Sequence, residues 1–227
     1  MSKIGNTIAV AVILMVSTRG TSAQPSNAPP TEQVLAAVED GQLVPLIVLA
    51  GAKKIASEMF RAASVDLGWR SGGASLAAKQ STSSSCLPAT SRPVVVIVRF
   101  RLSNDIPPQP EDVMAYTFPY AHSDASVIII SDRLNRRVSE EPARGAILLA
   151  HLIVHEITHL LERVSRHSDA GLMKARWTSR DYLGMDEHPL AFAPVDIELI
   201  HLGLTSWRRE SCAAGRYVDL VAQGRRR

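Results

Sequence analysis

Two rhythms of apolar residues divide the chain. Val94 to Phe100 is a β-branched run, the composition of a buried strand. Val127 to Ile130, bounded by Ser126 and Ser131, and Ala115 to Phe118 give two more strand candidates. Val65 to Trp69 alternates as a half-buried strand does, and Leu43 to Leu49, a short apolar run interrupted by Pro45, reads as an edge strand. The helical rhythm appears in three places. Gly51 to Ala63 places Ile55, Met59 and Phe60 on one face. Ile147, Leu148, Ile153, Val154, Ile157, Leu160, Leu161 and Val164 follow the pattern of a buried helix. Pro194 to Arg208 aligns Ile197, Ile200, Leu204 and Trp207. Gly72 to Ser85 is small and polar, and Ser103 to Asp112 holds three prolines, so both read as loops. Together these elements predict an α+β chain with about five strands, one N-terminal helix, one central buried helix and one C-terminal helix. No internal repeat is evident.

The central helix carries the chemistry. It contains His155-Glu156-Ile157-Thr158-His159. Residues four apart on an α-helix share a face one turn along, so His155 and His159 can reach one ion. Glu156 sits beside them, placed to take a proton from water held at that ion. This is the zinc-protease signature. Burying two histidines and a glutamate in an apolar helix is costly unless they have partners. The bland alternative is a core helix whose histidines bond to nearby backbone. His151 lies four residues before His155, but three imidazoles at this spacing cannot share an ion, because the outer two are about 12 Å apart. Only the 155/159 pair has a glutamate directly after its first histidine, which leaves His151 a packing or supporting role.

Beyond the helix come His167-Ser168-Asp169-Ala170-Gly171-Leu172-Met173 and then Trp177. From the paired histidines to this stretch the chain resembles the metzincin zinc metalloproteases, matrix-metalloprotease-type members in particular. It is also similar to uncharacterised exported bacterial proteins with His-Ser-x-x-Gly-x-Met-x-x-x-Trp. The resemblance implies His155, His159 and His167 as zinc ligands, Glu156 as general base and Met173 as the Met-turn residue beneath the ion. It further implies a twisted mixed sheet packed on the metal helix, an edge strand that pairs with an extended peptide, and hydrolysis of peptide or protein substrates. Either Val127 to Ile130 or Ala115 to Phe118 can serve as that edge. Two features depart from the family pattern. Glu162 stands where the family has a helix-ending glycine, and seven residues, not five, separate His159 from His167. Glu162, Asp169 and Glu187 are therefore rival third ligands. The spacing of Tyr182 does not match the assisting tyrosine of some metzincins, so a structural role is expected for it. His122, His188 and His201 fit no ligand spacing.

Residues 1–23 read as an export signal: Lys3, an apolar run from Ile8 to Val16, and the small residues Thr21-Ser22-Ala23 before Gln24. That run is too short to span a bilayer. The expectation is a secreted or periplasmic protein with no stable membrane span after processing. Residues 24–42 are expected to be a mobile N-terminal segment, 43–212 the catalytic domain and 213–227 a basic C-terminal tail. Removing the signal takes the basic residues from 25 to 23 against 22 acids, so the formal charge falls from +3 to about +1. At that near-neutral balance the high pI says little about partners, Arg225-Arg226-Arg227 reads as a solvated tail, and no nucleic-acid partner is expected. A monomer is expected. Two cysteines, Cys86 and Cys212, can form one disulfide in an oxidising compartment.

Overall fold

A computed structural model of the chain describes residues 32–72, 93–120, 125–139 and 142–224, excepting the side chains of 142 and 211–224. The fold is α+β. Five strands, β1 (Glu32–Glu39), β2 (Val65–Ser71), β3 (Val94–Arg101), β4 (Ala115–Thr117) and β5 (Ser126–Ile130), form one sheet in the order β2-β1-β3-β5-β4. The first four positions are parallel, and β4 runs antiparallel on the edge beside β5. Parallel neighbours need a crossover. Helix α1 (Leu46–Ala62) supplies it between β1 and β2. Helices α2 (Ser131–Val138), α3 (Pro142–Glu162), α4 (Ser179–Glu187) and α5 (Pro194–Gly224) complete the described elements.

Strand register explains the core. Val34 stands opposite Leu67 and Val94, Ala36 opposite Val96, Val38 opposite Val98, Val98 opposite Val127, and Phe100 opposite Ile129. Because strand side chains alternate, all of these face the same way. They are buried with Val48, Ala52, Ala56, Met59 and Phe60 of α1 and with Leu149, Ile153 and Ile157 of α3. Helix α3 is therefore clamped under the sheet along its apolar stripe. It is long and apolar enough to cross a membrane, but most of that length is buried inside the domain, as in a core helix.

Several expectations are corrected. Residues 32–39 are no mobile segment. They form an interior strand between β2 and β3, with Ala36 and Ala37, on its two faces, both fully buried. Leu43 to Leu49 is not an edge strand. Gly41–Leu43 is a 3-10 turn and α1 begins at Leu46, with Pro45 as its N-cap at φ −56. A ring locked near that angle and lacking an N–H suits a helix start as well as an edge. Val127 to Ile130 is interior, so of the two candidates for a peptide-pairing edge only Ala115 to Thr117 lies on one. The C-terminal helix continues to Gly224, through most of the stretch expected to be a tail. The export signal, the final arginines, His122 and the pairing of Cys86 with Cys212 lie outside the described residues.

Candidate metal centre

Helix α3 is 21 residues long, about 30 Å. His155 and His159 lie on its last turns, facing the segment that follows. That segment must reverse direction immediately, and Arg163 makes the turn at φ 58, a left-handed conformation that closes helices. Its N–H donates to His159 O at 2.9 Å. The turn that the family pattern assigns to glycine is thus made here by arginine, one residue beyond Glu162. The longer connection then carries His167 back over the helix.

His155, His159 and His167 come together, their ligating nitrogens all within 4.8 Å of one another. Among the described residues Glu162, Asp169 and Glu187 do not join this cluster. Asp169 and Glu187 are exposed. Glu162 is buried without a hydrogen-bond partner for either oxygen, and desolvation pushes its carboxyl up to about 7.

Backbone carbonyls fix the protonation of two of the rings. His155 Nδ1 lies 3.0 Å from Leu172 O, and His159 Nδ1 lies 3.1 Å from Val164 O. A carbonyl only accepts, so each Nδ1 bears the proton and each Nε2 a lone pair. Those two Nε2 atoms face one another at 3.1 Å. Burial holds both rings down to about 4, helped by the charges of His159 and His167 at His155 and by those of His167 and Arg166 at His159, so neither is an imidazolium near neutral pH. Two lone pairs therefore converge with no proton between them. A cation between them relieves this. Two nitrogens at zinc's usual bond length and tetrahedral angle stand about 3.3 Å apart. The donor set thus fits a metal ion. His167 is more exposed, its pKa lowered by partial burial and by the Arg166 guanidinium.

The third histidine is braced from both sides. Asp196, fully buried near the start of α5, accepts from Ser168 Oγ at 2.7 Å, from the Arg166 guanidinium, and from the Ala193 N–H at 2.9 Å. Arg166 and Ser168 flank His167, so one carboxylate ties down the loop that presents it. Ser168 N–H also donates to Met173 O at 2.7 Å, folding the following residues back beneath the loop. Met173 is buried within the core. Glu156, next to His155, is 9 % exposed, and burial pushes its carboxyl up to about 8.

The groups that support the ligand histidines carry no signal in the ligand motif itself. Leu172 O accepts from both His155 and Trp177 Nε1, each at 3.0 Å, and the Trp177 ring stands edge-on to His155 at 5.7 Å. Thr178 and Asp181 form a capping box that starts α4, a signal present in the letters Thr-Ser-Arg-Asp. Lys174 reinforces it by donating to Asp181 at 2.6 Å, and these bonds hold the Asp181 carboxyl down to about 2. Tyr182 packs edge-on against Trp177 at 6.2 Å, as a structural residue does. His201 Nε2 reaches Ala63 O at 2.9 Å, away from the cluster. Compared with known proteins, the chain matches no protein-family model and no curated protein.

Proposed function

We propose that the chain is an exported, metzincin-like, zinc-dependent metalloendopeptidase. One observation carries the metal reading: two buried imidazoles, each with its Nδ1 proton committed to a carbonyl, face each other through bare Nε2 atoms 3.1 Å apart. Three neutral imidazoles suit zinc and leave a fourth position open. The five-stranded sheet with four parallel strands and one antiparallel edge, packed on the metal helix, supports the family-level reading.

When bound, zinc supplies a Lewis acid that acidifies water and polarises a carbonyl. The chain's own residues do the rest. Leu172 O and Val164 O hold the imidazoles in the ligating tautomer. Glu156 accepts the proton of the attacking water and delivers it to the leaving amine. Its burial keeps the carboxyl protonated in the metal-free chain, and a neighbouring dication favours the carboxylate. The short strand β4 lies at the sheet edge, where an extended peptide can add as a further strand, with Phe118 and Tyr120 exposed just beyond it.

The seven-residue connection between His159 and His167, longer than the family pattern, favours a second reading, a metal- or peptide-binding protein of the same fold with little turnover. The zinc-loaded chain and its Glu156→Ala variant, given a mixture of unfolded protein substrates, separate the two. The peptidase reading expects cleavage by the parent, about 10²–10⁴-fold loss in the variant, and unchanged zinc content. No cleavage by a zinc-loaded parent hands the site to the binding reading. Equal cleavage by both removes Glu156 from its role.

A further inference from the structure

His151 lies one turn before His155, fully buried, and takes no part in the three-histidine cluster. Its two ring nitrogens are nonetheless both engaged. Nδ1 lies 2.7 Å from Ile147 O, which can only accept, so the proton is on Nδ1. Nε2 is then an acceptor, and the Leu190 N–H donates to it at 3.0 Å. That bond crosses from the metal helix to the segment between α4 and α5. The adjacent residue of this segment, Ala191, offers its carbonyl to the Leu172 N–H at 2.9 Å. Leu172 in turn offers its own carbonyl to His155 Nδ1. Trp177 closes the circuit, edge-on to His151 at 6.0 Å while donating to the same Leu172 carbonyl.

We propose that His151 is a positioning residue: by accepting the Leu190 N–H it pins the 188–193 segment to the metal helix and, through Ala191 and Leu172, sets the orientation of the His155 imidazole. The route from His151 to His155 has four links, three hydrogen bonds and the Leu190–Ala191 peptide. An imidazole suits the post because a buried ring can donate along its own helix and accept from a strand of backbone on its opposite side at once. Leucine at 151 would fill the space but leave the Leu190 N–H without an acceptor, which costs more than a missing contact.

The coupling to His155 rests on the metal-centre reading; the pinning of Leu190 does not, and the experiment separates them. His151→Met and His151→Gln are near-isosteric, but only glutamine places an acceptor where Nε2 stands. Zinc affinity is read by competition with a chromophoric chelator, and amide hydrogen exchange at Leu190 and Leu172 is read in the metal-free chain. Methionine should weaken zinc binding about 10-fold or more, the size of effect seen for partners of metal-ligating histidines. It should also speed exchange at Leu190 and Leu172. Glutamine should restore both toward the parent. Methionine and glutamine behaving alike in exchange overturns the pinning. Exchange that responds as expected while zinc affinity stays within about twofold of the parent overturns the coupling. A parent that binds no zinc overturns the metal reading and the coupling together, leaving the exchange data to judge the pinning. Should the methionine variant not fold, the ring nitrogen shifts of the parent decide: His151 must show a protonated Nδ1 and a bare Nε2, and the opposite tautomer overturns the proposal.

Discussion

Replacing Gly171 with alanine should destabilise the metal-free chain by about 2–5 kcal/mol, and two separate effects set that range. Gly171 has φ 74, and an alanine held in the left-handed region costs about 1–2 kcal/mol. An added Cβ would also stand 2.4 Å from Ala191 O, below the 3.0 Å that real Cβ atoms essentially never breach. The carbonyl must retreat by about 0.6 Å or more. It already accepts the Leu172 N–H at 2.9 Å, so the retreat stretches that bond past useful length. Leu172 is buried, and an unsatisfied buried donor costs about 1–3 kcal/mol. Gly184→Ala is the control. Gly184 lies within α4 with nothing near its missing Cβ, so alanine there should stabilise by about 0.5–1 kcal/mol. Urea unfolding of parent and both variants, at matched m-values, reads the difference. A Gly171→Ala chain within about 0.5 kcal/mol of the parent, or a Gly184→Ala chain equally damaged, would show that neither strain nor the Leu172 bond sets the cost.

Gly203→Ala tests the contact between α5 and the end of the metal helix. Its Cβ would fall 1.7 Å from Leu161 O, a backbone atom, so the helices must separate, at about 1–3 kcal/mol or more despite alanine's better helix propensity; thermal melting checks this, and an unchanged midpoint contradicts it. In the metal-free chain, stability should fall as pH rises from about 6.5 to 8. Over that range the folded Glu156, raised to about 8, and Glu162, raised to about 7, keep protons that the unfolded chain has already lost near its ordinary glutamate value of 4.5. Folding then favours the protonated state of these two carboxyls, by about 2–3 kcal/mol across the window at about 1.4 kcal/mol per proton and pH unit. The buried His155 and His159, held down to about 4, pull the other way because the unfolded rings shed their remaining protons above 6.5, and the net loss is about 1–2 kcal/mol. Urea midpoints at the two ends check the sign, and a midpoint that rises with pH contradicts it.

The parts of the site that are written in side chains were legible. His155, Glu156 and His159 declare themselves by spacing on an apolar helix, and His167 by the stretch that follows. Val94 to Phe100 announced its strand because a run of β-branched residues has few other uses. The parts written in backbone were not. Leu172 O, Val164 O and Ala191 O set tautomers and tie segments together, yet every residue owns a carbonyl and no letter marks which one will be used. Arg163 makes the turn expected of glycine, because its neighbours over-determine a conformation that its own propensity disfavours. Its side chain is anchored beyond the turn, bonded to Glu210 and lying over the Trp207 ring. Two misreadings have one source. The Ala36-Ala37 strand and the Pro45 helix start each use a residue whose local preference admits more than one element, and contact with distant segments decides between them. Asp196 escaped notice because the Arg166 and Ser168 that it joins lie 28 to 30 residues away.

X-ray absorption of the purified chain, loaded with zinc and freed of excess metal, tests the three-histidine centre most directly. The expected result is about one zinc per chain and a first shell containing three imidazole nitrogens at about 2.0–2.1 Å, reduced to two in the His167→Ala variant. A chain that retains no zinc, or a shell with fewer than three imidazoles that His167→Ala leaves unchanged, would contradict it.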